Sequence, residues 1–415
     1  MYFLIFFIFF IHIINNMESQ ALLSANDVSY QEQPAVAATT RRTLARIPAL
    51  KDTYKDGDVV IFNVETGADF VDTCSSWINL KVTSSELAEL SSPDATILDI
   101  IREVVIYARN GTELLRQEVF NVFTREDLVA RHSQDWLNTV GSAFGYGTGF
   151  GTAAPVDYAG GVTHSIPLRT LTDLFCKNQK APPQLMSGMR IELVLDTAQR
   201  SFRWGNENAH SYNVTELVLL ADTHTLTDAI SRKIMSDSAN DGLVQQWNDY
   251  SHISQDSSGT KITVNFQKSV ARACKALVLV RNEIDVGLNI ADSIGTSLFS
   301  FTTARFRVGS LYFPRQELDR PTAHYLNTLR AYKKIQEHDD VVSSLTFPRY
   351  KQRNMVATLL ERDDDLENSG ISTSRAQGDL LAELGFASAV DRRLDCYILY
   401  SKQISTGLSS VLVNE

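Results

Sequence analysis

Cysteine is scarce: four residues in 415, at positions 74, 176, 274 and 396. No two have the spacing of metal ligands, and so few in so long a chain exclude a disulfide-stapled scaffold. Cys74, Cys176, Cys274 and Cys396 read as buried free thiols. Histidine is also thin, with eight residues, no His-x-His pair and no His-Glu-x-x-His, so a clustered zinc or cupin-type centre has no ligand set. Basic residues fall short of acidic ones, 39 against 49, for a net charge of −10. That excludes a general nucleic-acid coat while leaving room for a local basic patch. There is no Gly-x-Ser-x-Gly elbow and no Cys-x-x-Cys. The four tryptophans, Trp77, Trp136, Trp204 and Trp247, fall in strand, helix or turn contexts that suit core packing better than a sugar-binding platform.

Apolar residues make up 44% of the chain and charged residues 21%, the balance of a globular protein with a sizeable core. The first sixteen residues, MYFLIFFIFFIHIINN, have no basic start and no small-residue cleavage site. Their apolar run is shorter than the roughly 20 residues of a spanning helix. They are expected to be an over-extended reading frame, with Met17 as the start. Residues 17–45 read as a polar arm, made locally basic by Arg41, Arg42 and Arg46, and are expected to be dispensable for self-association.

Strand signals follow. Residues 57–65 form a β-branched run, and 76–84 alternate Ile78, Leu80, Val82 against Trp77, Asn79, Lys81. Asn110-Gly111 between apolar runs predicts a hairpin. Thr124 and Asp127 suggest a capping box opening a helix that carries Leu128, Val129, Trp136, Leu137 and Val140. A second short helix is expected over 167–176, with strands at 189–197 and 211–223. The grammar then repeats, with strands at 243–253, 259–267, 275–284, 304–313, 354–362 and 392–404. A helix over 321–334 should turn Tyr325, Leu326, Leu329 and Tyr332 inward. QDWLNTV (134–140) echoes AHYLNTLRAY (323–332), and RIELVLDT (190–197) parallels RRLDCYILYS (392–401). Two similar β-domains are expected, residues 46–225 and 226–415.

Two segments invite a site. GSAFGYGTGFGTAAP (141–155) holds five glycines, but Gly145, Gly147, Gly149 and Gly151 fit no phosphate motif, the loop lacks lysine, and a helix rather than a strand precedes it. It reads as a contact or packing loop, and deleting 145–151 is expected to leave the fold intact. An EF-hand loop from Asp363 would use Asp365 and Glu367 but has Asn368 where glycine is required. No catalytic, cofactor-binding or metal-binding residues are therefore assigned, no cofactor is expected, and the chain does not read as an enzyme.

FNVETGADFVDTCSSWINLKV (62–82), SIPLRTLTDLFCKNQKAPPQLMSGMRIELVLD (165–196) and VTELVLLADTHTLTDAISRKI (214–234), followed by 306–332 and 361–380, resemble in order and spacing the double jelly-roll major capsid proteins. The nearest resemblance is to those of polinton-like viruses, virophages and related eukaryotic DNA viruses. It implies an all-β chain with short helices, built as two tandem eight-stranded jelly-roll barrels. It also implies a homotrimer acting as a pseudo-hexagonal capsomer in an icosahedral virion shell, assembled inside the host cell. The implied partners are neighbouring capsomers, penton or minor capsid proteins, and an internal membrane or the genome through Arg41, Arg42 and Arg46. The alternative is a carbohydrate-binding or glycan-cleaving double β-sandwich.

Overall fold

Ile78, Leu80 and Val82 are buried and Trp77, Asn79 and Lys81 only half-buried along one strand, Phe70–Ser84, as their alternation requires. The structure is a computed structural model and describes residues 39–175, 180–205, 210–233, 243–282, 292–335, 343–361, 370–373, 378–406 and 411–414. Arg41–Glu415 is one compact unit; the other, Met1–Thr40, lies almost wholly outside the described residues. The apolar leader, Met17, Cys176 and the calcium-like positions Asp363, Asp365, Glu367 and Asn368 lie outside them too.

In the first half the long strands are β1 (Thr39–Pro48), β2 (Val59–Val64), β3 (Phe70–Ser84), β4 (Ile101–Tyr107), β5 (Glu113–Gln117), β6 (Val162–Pro167), β7 (Met189–Leu195) and β8 (Tyr212–Leu226). They form two sheets, β1-β8-β3-β6 and β2-β7-β4-β5. The β4–β5 hairpin turns at Asn110-Gly111, where Gly111 takes φ +81° and the Asn110 side chain accepts from the Thr112 amide at 3.1 Å.

The second half supplies β9 (Leu243–Ser257), β10 (Lys261–Asn265), β11 (Ala273–Asn282), β12 (Phe301–Val308), β13 (Leu311–Leu318), β14 (Met355–Leu359), β15 (Leu380–Phe386) and β16 (Arg392–Thr406). Their sheets run β9-β16-β11-β14 and β10-β15-β12-β13. Adding eight to every label in the first pair of sheets gives the second pair. This interleaved order is that of the jelly roll, present twice.

Two cores result. One is the interior of the second barrel, with Val264, Val278, Phe306, Leu384 and Ile398. The other starts inside the first barrel at Phe62, Ile78 and Ile191 and continues to Tyr250, Leu277, Leu279, Tyr397 and Leu399 of the second. β11 is consequently buried on both faces from Ala273 to Arg281, with Ala276, Val278 and Val280 turned into its own barrel and Leu277 and Leu279 toward the first.

The structure corrects several expectations. Residues 304–313 are not one strand: Gly309 (φ +57°) and Ser310 turn the chain from β12 into β13. The end of the expected arm is strand β1. The helix expected from Thr124 begins earlier, as α1 (Phe120–Arg131), with Val119 in the left-handed region as its N-cap. Thr124 and Asp127 lie buried within it, so no capping box forms there. Ser133 instead caps a separate helix, α2 (Gln134–Thr139), accepting from the Trp136 amide at 3.2 Å. In α3 (Pro321–Ala331) His324, Thr328 and Ala331 are buried and Tyr332, just past its end, is buried as expected; Tyr325 and Leu329 are half-buried, while Leu326 is exposed. The echo between 134–140 and 323–332 is topologically sound, since both lie between the edge strand and its return, β5 to β6 and β13 to β14. The echo of 190–197 with 392–401 is not: β7 corresponds by sheet position to β15, and β16 to β8.

Candidate functional site

The feature of this molecule richest in chemistry is the seam where α1 wedges between the two halves. Phe120 through Ala130 are buried around the whole helix, including Arg125, Glu126 and Asp127. A helix that buries charges on every side needs partners on every side, and the second barrel supplies them. Arg125 binds Asp99 of its own barrel and Asp292 of the other, and donates to Ser91 Oγ at 2.8 Å. Glu126 binds Arg353, which also binds Asp94. Arg349 joins Asp94 and donates to the Tyr146 hydroxyl at 2.6 Å and to Gln134 Oε1 at 3.0 Å. The helix end is held by Ser344, whose amide donates to His132 O at 2.8 Å and whose hydroxyl donates to Val129 O at 2.8 Å.

This network has four carboxylates, Asp94, Asp99, Glu126 and Asp292, and three guanidinium groups, Arg125, Arg349 and Arg353. Burial, opposed by Arg125 and reinforced by Asp292, pushes Asp99 up to about 6. At Asp94 and Asp292 burial acts upward as well, but the arginines outweigh it and hold both carboxyls below the usual range.

Farther along the seam, β5 lies against β9. Gln117 Nε2 donates to Asp249 at 3.2 Å, Lys402 Nζ pairs with Asp249 at 3.0 Å and donates to Leu114 O at 3.3 Å, and Tyr250 Oη donates to Glu118 O at 3.3 Å. Phe123 packs on Tyr250 and Tyr397, with ring centroids 4.3 and 5.1 Å apart.

A cavity of about 320 Å³ opens beside α1, lined by residues of both barrels that include Phe123, Asp127, Trp136, Arg169 and Asp249. Its carboxylates are matched by cations: Arg131 lies 3.0 Å from Asp127 and 2.6 Å from Asp173, and Lys402 holds Asp249. His132 stacks on Trp136 at 3.7 Å, and burial lowers its pKa to about 4, so it is neutral. Burial raises the Cys74 thiol, which makes it a poor nucleophile.

The glycine-rich loop is neither a phosphate cradle nor a free surface loop. Phe144 and Tyr146 are buried, Phe150 N donates to Leu90 O at 2.8 Å, and Tyr146 reaches the seam network. It is a contact between the barrels, and deleting 145–151 is now expected to damage the fold.

The basic residues of the expected arm are on strand β1. Arg42 Nε contacts both Asp222 oxygens, at 2.9 and 3.0 Å, Arg41 lies 3.8 Å from Asp69, and Arg46 is exposed. Asp72, Asp222 and His224 come close enough to suggest a cation site. Arg42 already engages Asp222, and Lys180 Nζ lies 3.0 Å from His224 Nδ1, so the cluster carries its own cations. Of the cysteines, Cys274 and Cys396 are buried free thiols and Cys74 is half-buried. Trp204 and Trp247 are buried and Trp77 and Trp136 half-buried, so none of the four offers an open indole platform. Among the described residues no helix is long and apolar enough to cross a membrane.

No protein-family model matches the chain, and no curated protein does. Solved structures do. The Faustovirus major capsid protein superposes with a TM-score of 0.66 at 7% identity, over 88% of this chain and 90% of that one. The quasi-atomic capsid of PBCV-1 gives 0.58 at 10% identity, over 90% and 96%. The Sputnik virophage structure gives 0.58 at 10% identity, over 91% and 89%. These likenesses establish the double jelly-roll fold across nearly the whole chain.

Proposed function

We propose that this chain is a major capsid protein, a structural and non-catalytic component of an icosahedral virion shell. Three copies form a capsomer of pseudo-hexagonal outline. The observation that carries the reading is the internal repeat: two barrels with one strand order, fixed edge to edge by β5 on β9. Three such chains present six similar barrels, so threefold symmetry can fill a hexagonal lattice. The superposed Faustovirus, PBCV-1 and Sputnik proteins, capsid proteins by description, support the same role. The barrel limits proposed are residues 39–225 and 226–415, the first beginning at β1 rather than at residue 46 as expected from sequence.

Neighbouring capsomers and penton or minor capsid proteins are the proposed further partners. A membrane or genome contact through Arg41, Arg42 and Arg46 is the weaker assignment, because Arg42 is engaged by Asp222 and Arg41 lies 3.8 Å from Asp69, which leaves the exposed Arg46 to carry it. The alternative, a glycan-active sandwich, finds no support in a seam cavity whose carboxylates are held by cations.

Light scattering coupled to size exclusion tests the proposal. The expected result is a single species near three times the 46.3 kDa chain mass. Its interfaces should be of the obligate class, roughly 2,000 Å² or more each. A stable monomer overturns it.

A further inference from the structure

We infer that one end of the seam is an oxyanion site, in which Arg200 of the first barrel and Arg281 and Arg393 of the second take up a phosphate group that joins the two barrels. The site belongs to a single chain and does not depend on the capsomer reading.

Strand register brings two of the three guanidinium groups together. Arg281 on β11 and Arg393 on β16 are direct partners, so their side chains leave the sheet on one face. It is the face that turns Leu279 and Tyr397 toward the first barrel. Like charges directly opposite one another destabilise a sheet. Asp395, two residues along on the same face, supplies one negative charge, and both its oxygens are engaged. One accepts from Arg281 Nε at 2.7 Å and the other lies 3.0 Å from His252 Nε2, while Arg393 Nε stays 3.7 Å away.

The first barrel adds the third cation. Arg281 Nη1 donates to Ser293 O at 2.8 Å, and Ser293 Oγ donates to Arg200 O at 3.2 Å, which sets the short helix Ala198–Ser201 beside the pair. The Arg200 guanidinium has Asp196 at 4.0 Å and no hydrogen bond among the described residues. Asp196 is already engaged, accepting from Asn121 Nδ2 and from the Thr197 amide, each at 2.8 Å. Burial, with the charges of Arg281 and Arg393 added, outweighs Asp196 and lowers the pKa of Arg200. The cation is thus held where its surroundings disfavour it.

Donors are left over on the second barrel as well. Arg281 is 2% exposed, and its Nη2 is buried with no acceptor among the described residues; Arg393 Nε is buried without a hydrogen bond too. Such groups cost free energy until an acceptor reaches them. Asp256 lies 4.0 Å from Arg393 but is 54% exposed, so water screens its charge. Three guanidinium groups therefore face two engaged carboxylates. Planar forks of N–H donors match the oxygens of phosphate in paired bonds. Arg200 and Arg393 keep 29% and 28% of their side chains in solvent, which gives the anion its entry, with Arg281 behind them.

The full chain is to be titrated with inorganic phosphate and with glycerol phosphate, against chloride at equal ionic strength. Phosphate is expected to raise Tm, with a shift that grows with the logarithm of its concentration, and to bind at one ion per chain in calorimetry. Glycerol phosphate binding as tightly would assign the site to a phosphate group on a larger molecule, and its exclusion to the free ion; both results support the site. Arg200→Gln removes no hydrogen bond among the described residues. It should bind phosphate roughly 10- to 100-fold more weakly, the effect of losing a hydrogen bond to a charged group. In chloride this variant should melt no lower than wild type, because the repulsion among the arginines is relieved; in phosphate it should melt below wild type. Arg46→Gln, at an exposed position on β1 outside the cluster, should bind as wild type does. No phosphate shift beyond that of chloride, unchanged affinity in Arg200→Gln, or an equal loss in Arg46→Gln overturns the site. An Arg200→Gln chain that melts lower by the same amount in both salts makes Arg200 a packing residue and overturns it too. A monomeric wild type would fail the capsomer reading and leave this test intact.

Discussion

A methyl group on Gly149 would lie 2.0 Å from the carbonyl oxygen of Ser92 and 3.0 Å from that of Leu90, both backbone atoms that cannot swing away. Gly149→Ala must therefore shift the loop off the 90–93 segment, at about 1–3 kcal/mol by the measure of overpacked cores. Thermal melting should show a drop of several degrees. Gly160→Ala, where a Cβ meets nothing within 4 Å, should leave Tm unchanged. Equal melts for the two would refute the packed-loop assignment. Asp99 gives a second prediction. Its carboxyl titrates near 6 when folded and near the ordinary 3.8 when unfolded, because burial raises it. The native state therefore holds this proton more tightly, so the stability contributed by Asp99 is greatest below about pH 4 and falls as pH rises toward and past 6. Asp99→Asn removes that slope. The difference in Tm, variant minus wild type, should grow from pH 4.5 to 7 and then level off. A difference independent of pH would show that Asp99 carries no raised pKa.

At the scale of elements, what could be read from sequence follows from how many neighbours decide each residue. β3 alternates because one face is buried and the other half-solvated, so its period of two survives in the letters. Asn110-Gly111 is local chemistry and marked its hairpin equally well. Gly309-Ser310 is also a two-residue hairpin signal, but the flanking run ARFRVGSLYF reads as continuous and concealed it. β1 resembled a tail because an edge strand of arginines and threonines buries little: of its ten residues only Ile47 is fully buried. α1 was misplaced for the opposite reason. The Thr124 pattern is a sound cap in isolation, yet the second barrel buries the preceding turn and extends the helix back to Phe120. The seam left one trace, the unbroken apolar runs Ala276–Val280 of β11 and Cys396–Tyr400 of β16, which signal burial on both faces. Its ion network left none, since Asp94 and Arg353 are brought together only by the packing of two barrels.

For the whole molecule, the seam implies that neither barrel is a folding unit by itself. Separating them uncovers Phe123, Tyr250, Leu277, Leu279, Tyr397 and Leu399, all buried in one core shared across the seam. Six such side chains at roughly 1.5–3 kcal/mol each amount to about 9–18 kcal/mol. That matches the whole net stability of a typical domain, about 5–15 kcal/mol. The charges of α1 would regain water and lose little by comparison, so the apolar surface decides the outcome. Fragments 1–233 and 234–415, produced separately, should aggregate or melt without cooperativity. Produced together, they should recover one soluble complex with the melt of the intact chain. A first-barrel fragment that is monodisperse and melts cooperatively alone would mean that the seam is a docking contact between independent domains. In that case the contact between barrels would be no stronger than a contact between chains, and the fixed geometry that lets two barrels set the angle for six would have to come from the assembled ring.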